Sequence, residues 1–120
     1  MEALLPQITS SVSSAERRQW PRTKVRVQTE LKLKGRDVPV RVNTSDLSVG
    51  GCYVEMMFTF ELGSKLEITM WIGDSKVQTE GMVVTRHLQF GNGIEFTTMS
   101  MADQLTLSRF LSEIDAEIVQ

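Results

Sequence analysis

Lys24-Val25-Arg26-Val27-Gln28-Thr29-Glu30-Leu31-Lys32-Leu33 is the stretch that decides the fold. Val25, Val27, Thr29, Leu31 and Leu33 fall on one side of an extended chain; Lys24, Arg26, Gln28, Glu30 and Lys32 fall on the other. Successive side chains of a strand point to opposite faces, so this alternation describes a long strand with one face in a core. Gly35-Arg36-Asp37 turns it. Beyond the turn, Val38, Val40 and Val42 continue the alternation in a second strand, with Pro39 pointing to an edge position or a strand start. Asp46-Leu47-Ser48-Val49-Gly50-Gly51 interrupts the sheet, which resumes from Cys52 to Phe58. After the turn Leu62-Gly63-Ser64, Leu66, Ile68, Met70 and Ile72 alternate with Lys65, Glu67, Thr69 and Trp71. Gly73-Asp74-Ser75 has hairpin turn chemistry and leads into a strand from Lys76 to Arg86. Gly91-Asn92-Gly93 reads as a last turn, into Ile94 to Phe96.

Then the period changes. Ser100-Met101-Ala102-Asp103 is a capped helix start with an acid in the first turn. Leu107, Phe110, Leu111, Ile114 and Ile118 recur at helical spacing. Six short strands and one terminal amphipathic helix predict a mainly β protein, a small six-stranded antiparallel barrel with the helix packed on it. Closure removes the exposed sheet edges that a chain of 120 residues can ill protect. Residues 1–15, rich in Ser, Thr and Gln around Pro6, read as a flexible N-terminal arm, and 16–120 as the single barrel domain.

Charge is unevenly placed. Net charge is -2, yet Ala15 to Arg41 carries nine Lys and Arg against three Asp and Glu, while the remainder carries four against twelve. A compact basic patch on an acidic protein suits a small anionic ligand better than a long nucleic acid, which needs a wide basic face. The single cysteine, Cys52, excludes an internal disulfide, argues against a zinc cluster and fits a reducing cytoplasm. Met1 to Ser14 has no Lys or Arg and only a short apolar run, so it does not read as a secretory signal. No stretch approaches the roughly 20 apolar residues that cross a membrane. No phosphate loop, paired catalytic carboxylates or Ser-His-Asp set is present, and the lone His87 has no partner for metal or acid–base work. The protein is expected not to be an enzyme.

Two stretches carry ligand chemistry. Arg17-Arg18-Gln19-Trp20-Pro21-Arg22 puts three guanidinium groups within six residues, and Pro21 keeps helix from running through them. Arginine matches phosphate and the O6/N7 edge of guanine with paired donors. Trp20 either stacks on a base or packs on the barrel. In Asp46-Leu47-Ser48-Val49-Gly50-Gly51 the carboxylate can accept from guanine N1–H and N2–H, the hydroxyl can serve a base edge or phosphate, and the glycines permit close approach. Each stretch alone also reads as a plain basic patch or a polar turn; together they read as a guanine-and-phosphate site.

Arg18-Gln19-Trp20-Pro21-Arg22 resembles the RxxxR motif of PilZ domains, and Asp46, Ser48 and Gly51 stand at the defining positions of their (D/N)xSxxG motif. The resemblance runs from about Glu16 to the C-terminus and includes Val83-Val84-Thr85-Arg86 and Gly93-Ile94-Glu95-Phe96. It implies a bacterial, cytoplasmic receptor for the second messenger cyclic di-GMP, with no other cofactor and an unidentified downstream protein partner. By that resemblance Arg18 and Arg22 grip guanine and phosphate, Asp46 and Ser48 hold a guanine edge, and Gly50 and Gly51 shape the turn. Arg86 matches a position where some members supply a further arginine. Arg17, just before RxxxR, accompanies binding of two stacked ligand molecules per domain. The competing reading is a small-barrel binder of single-stranded nucleic acid, which has few aromatics here to stack bases.

Overall fold

The structure, a computed structural model, describes residues 22–119. Six strands, β1 (Gln28–Leu33), β2 (Val40–Leu47), β3 (Gly51–Glu55), β4 (Lys65–Ile72), β5 (Ser75–His87) and β6 (Gly91–Met99), are followed by helix α1 (Met101–Val119). All pairings are antiparallel and the sheet closes in the order β1-β2-β3-β6-β5-β4, with β4 returning to β1. The expected six-stranded barrel with a C-terminal helix is therefore the fold. The expected arm at 1–15, together with Arg17, Arg18 and Trp20, lies outside the described residues.

Alternation builds the interior. Leu31 of β1, Leu66, Ile68, Met70 and Ile72 of β4, and Val77 and Val83 of β5 are buried together with Val54, Ile94 and the helix residues Leu107 and Leu111. Non-directional burial of this apolar surface is the main force closing the barrel. Ser100 Oγ accepts from Asp103 N at 3.1 Å, the expected helix cap, and Asp103 in turn accepts from Gln78 N of β5 at 3.1 Å. The cap thus also fastens α1 to the strand it packs on. The two-residue loop Gly73-Asp74 joins β4 to β5, with Gly73 at φ 60°, a conformation glycine takes without steric cost. Trp71, on the outer face of β4, is a surface contact under the guanidinium of Arg41, 5.7 Å from the ring centroid.

Four expectations are corrected. β2 runs on through Asp46 and Leu47 instead of breaking before them, and Val38 and Val40 are exposed rather than inward. A bulge lets the strand continue: Thr44 pairs with Val54 and Asp46 with Tyr53, leaving Ser45 as an extra residue, while Val40, opposite Leu31, is exposed because it stands at the strand's first position and Val38 lies before it. β3 stops at Glu55, and Met57 and Phe58 protrude into solvent. Gly91-Asn92-Gly93 is strand, not turn; the turn is Leu88 to Phe90, with Gln89 at φ 70°. Asn92 is fully buried, and its amide accepts from Phe60 N at 2.7 Å and donates to Phe60 O and Thr85 O at 3.0 and 3.1 Å. Of the methionines, Met70 is core, Met56 and Met99 are half-buried against the core, and Met57 and Met101 are exposed.

Cys52 is completely buried, and burial first, then the nearby Asp46 carboxylate, pushes its thiol up to about 12. A thiol kept neutral in the folded state favours folding fully below its unfolded value near 9, and that advantage is lost as pH rises towards 12. The unfolding free energy of the wild type should accordingly fall above pH 9 more steeply than that of Cys52→Ala, by about 1.4 kcal/mol per pH unit. Denaturant melts of both proteins from pH 8 to 11 check this; parallel slopes would contradict it.

Candidate ligand-binding site

The bulge at Ser45 decides where the acid points. Without it Asp46 would share the inward face of buried Thr44; with it Leu47 turns into the core and Asp46 turns out. A carboxylate in that core would carry a large desolvation penalty, so the extra residue resolves the conflict between motif and barrel. Asp46 lies 3.3 Å from Arg22 Nη1, both side chains being partly exposed. Arg22 is brought there by Thr23, which exchanges backbone hydrogen bonds with Leu47 at 2.8 and 2.9 Å. Thr23 Oγ1 also donates to Asp115 of α1 at 3.1 Å. The base of the arginine segment is thus pinned between the end of β2 and the helix.

The turn after Asp46 holds itself. Ser48 Oγ accepts from Gly50 N and Gly51 N, both at 3.1 Å, and Ser48 N donates to Gly51 O at 2.8 Å. Ser48 is buried, and its hydroxyl is engaged within the turn. Gly50 O accepts from Phe96 N at 2.8 Å, anchoring the turn on β6. At Gly51 a Cβ would collide with the Ile94 carbonyl oxygen, so glycine is needed there for strand approach.

Arg22, Ser48, Gly50 and Gly51 line one cavity of about 150 Å³. Its further walls are Tyr53 of β3, Thr85 and His87 of β5, and Gly93 and Glu95 of β6. The volume admits part of a nucleotide, so a larger ligand must lie over the surface. A bigger concavity, about 700 Å³, lies elsewhere and is bordered by Glu30, Glu67 and Glu80. Its glutamates already hold the nearby cations, Glu67 with Lys32 at 3.0 Å, Glu80 with Lys34 at 3.2 Å and Glu30 with Arg41 at 3.7 Å, so Lys32, the cation that lines it, is engaged. Among the described residues no cluster of His, Cys, Asp and Glu is placed to hold a metal ion, and no helix is long and apolar enough to cross a membrane.

Arg22, Asp46, Ser48, Gly50 and Gly51 are therefore together. Arg86 is not: its Nε donates to Thr59 Oγ1 at 2.9 Å, on the loop between β3 and β4. Arg17 and Arg18 lie outside the described residues. Sequence reasoning passed over Tyr53 and His87 as site residues. The available signal was local for Tyr53, two residues beyond Gly51 on the same face of β3; for His87, 34 residues further on, there was none.

The family model described as PilZ domain matches residues 16–113. The chain belongs to the PilZ domain family. No curated protein matches it. Among solved structures, the Escherichia coli YcgR PilZ domain with c-di-GMP is 16% identical with a TM-score of 0.69, covering 85% of this chain and 94% of that one. The Bacillus subtilis inhibitor of motility MotI/DgrA is 16% identical with a TM-score of 0.73, over 82% of this chain; this PilZ domain spans only 51% of that protein. The PilZ domain of CeSA from a cellulose-synthesizing bacterium is 17% identical with a TM-score of 0.64, over 78% of this chain and 97% of that one. Such low identities speak for a shared fold.

Proposed function

We propose that this PilZ domain is a receptor for cyclic di-GMP that reports the ligand to a protein partner without transforming it. The observation that carries the reading is that Arg22 lines one cavity with the glycine turn at residues 48–51 and is paired there, at 3.3 Å, with Asp46 at the head of that turn. Guanine offers donors at N1 and N2 and acceptors at O6 and N7, and these two side chains are complementary to the two sets. Arg22 and Asp46 neutralise each other as an ion pair, so engaging a guanine nucleotide exchanges that pair for charge-assisted bonds to base and phosphate. Ser48 acts by holding the turn, and Arg17 and Arg18 supply further positive charge from the preceding segment. The fold shared with YcgR, solved with c-di-GMP, supports the assignment.

Calorimetric titration with cyclic di-GMP, beside a short single-stranded oligonucleotide, tests it. Saturable binding of the dinucleotide alone is expected; preference for the oligonucleotide would replace this reading. The expected ratio is two ligands per domain, bound as a stacked pair whose concentrated phosphate charge calls for the extra cation of Arg17. Arg17→Leu should move the ratio towards one. A wild-type ratio of one at verified active concentration would count against the stacked pair while leaving receptor function in place.

A further inference from the structure

Tyr53 and His87 form a bridge across three strands that the motif residues do not require. Tyr53 pairs with Gly93 on β6, His87 pairs with Gly91 one step along, and the tyrosine Oη lies 2.9 Å from His87 Nδ1 on β5. The two rings are tilted by 42° with centroids 5.8 Å apart. Between them β6 is bare. A Cβ at Gly91 would sit 2.8 Å from Tyr53 Cε2, and one at Gly93 3.8 Å from Cδ1, so the ring lies across a floor of two glycines. Cys52 and Val54 on either side point into the core, but Tyr53 does not; it is half-buried and lines the cavity beside Arg22 and Gly51. Its phenol is raised above the usual value, by desolvation first and then by Glu55 and Asp46, which keeps the hydroxyl protonated beside the imidazole.

A flat ring held on one face by backbone and at its tip by a hydrogen bond gives up little entropy when a second ring is laid on it. We propose that Tyr53 is the wall on which a guanine base stacks, and that His87 is the positioning residue that keeps its ring across the glycine floor. The assignment rests on reading the cavity as a guanine site. It gives a use to the two glycines at the start of β6, whose bare backbone otherwise weakens the sheet. It also adds purine-face recognition to the edge recognition by Arg22 and Asp46, and so favours a nucleotide over a simple phosphate.

The sequence has one tyrosine and one histidine, so their ring protons are identified in a proton spectrum without further assignment. On titration of the whole chain with cyclic di-GMP, the Tyr53 ring protons should move upfield as guanine covers them. Tyr53→Leu should lose on the order of tenfold in affinity, and Tyr53→Phe, which keeps the ring, much less. His87→Ala should weaken binding and displace the ligand-free Tyr53 signals, with His87→Gln restoring most of the affinity. In the Tyr53→Leu background His87→Ala should cost nothing more. Binding with unmoved Tyr53 protons would overturn stacking and leave the receptor reading intact, while no binding by the wild type would overturn both. Should Tyr53→Leu fail to fold, the wild-type ring shifts decide alone.

Discussion

Replacing Arg22 by alanine is expected to weaken cyclic di-GMP binding by about a hundredfold while leaving the barrel folded. A charge-assisted hydrogen bond contributes roughly 1.5–3 kcal/mol and a forked guanidinium makes two; the low end of their sum, about 3 kcal/mol, corresponds to about a hundredfold, against about 8 kcal/mol for micromolar binding in total. What Arg22 contributes to stability is much smaller. Its pair with Asp46 at 3.3 Å is partly exposed, and such pairs are worth about 0–1 kcal/mol. The same variant frees Asp46, which partly offsets the loss on the guanine edge but cannot replace a cation facing phosphate. Calorimetry and a thermal melt on one preparation separate the two effects. Unchanged affinity would remove Arg22 from the site; a large fall in melting temperature would assign it to the fold.

Gly51→Ala should do the reverse and unsettle the barrel first. The added methyl group meets the carbonyl oxygen of Ile94, which is backbone and paired within the sheet, so neither side can give way by a rotamer change. Overpacking of this kind costs about 3 kcal/mol, and a domain of this size loses about 4–8 °C of melting temperature per kcal/mol. A fall of about 15 °C is therefore expected, with ligand affinity lost as β3 and β6 part. The glycine at this motif position serves the sheet as much as the ligand. A variant that melts with the wild type would show that β6 can shift, and would return Gly51 to a purely ligand-facing role.

The barrel was legible because its causes are local. Val25 to Leu33 and Leu66 to Ile72 alternate with period two, Gly73-Asp74 supplies a turn that needs left-handed backbone, and Ser100 caps the helix three residues before Asp103. Both motifs, and hence most of the candidate site, were likewise readable from residue type and order. Tertiary structure alone decided which way those residues face. The bulge at Ser45 reverses the inward and outward sides of β2, and it is set by the pairing with β3, which no pattern within β2 records. Gly91 and Gly93 look like turn residues in isolation, yet they pair with β3 on one side and β5 on the other, where Val54, the Tyr53 ring and Thr85 leave little room for a Cβ. Arg86 carries the right side chain at a plausible position, and Thr59 takes it away from the cavity. Tyr53 meets His87 only because β3, β6 and β5 are neighbours in the closed barrel. Periodicity and turn chemistry belong to a few consecutive residues; side-chain direction at a bulge, and contacts across a sheet, belong to partners far apart in the chain.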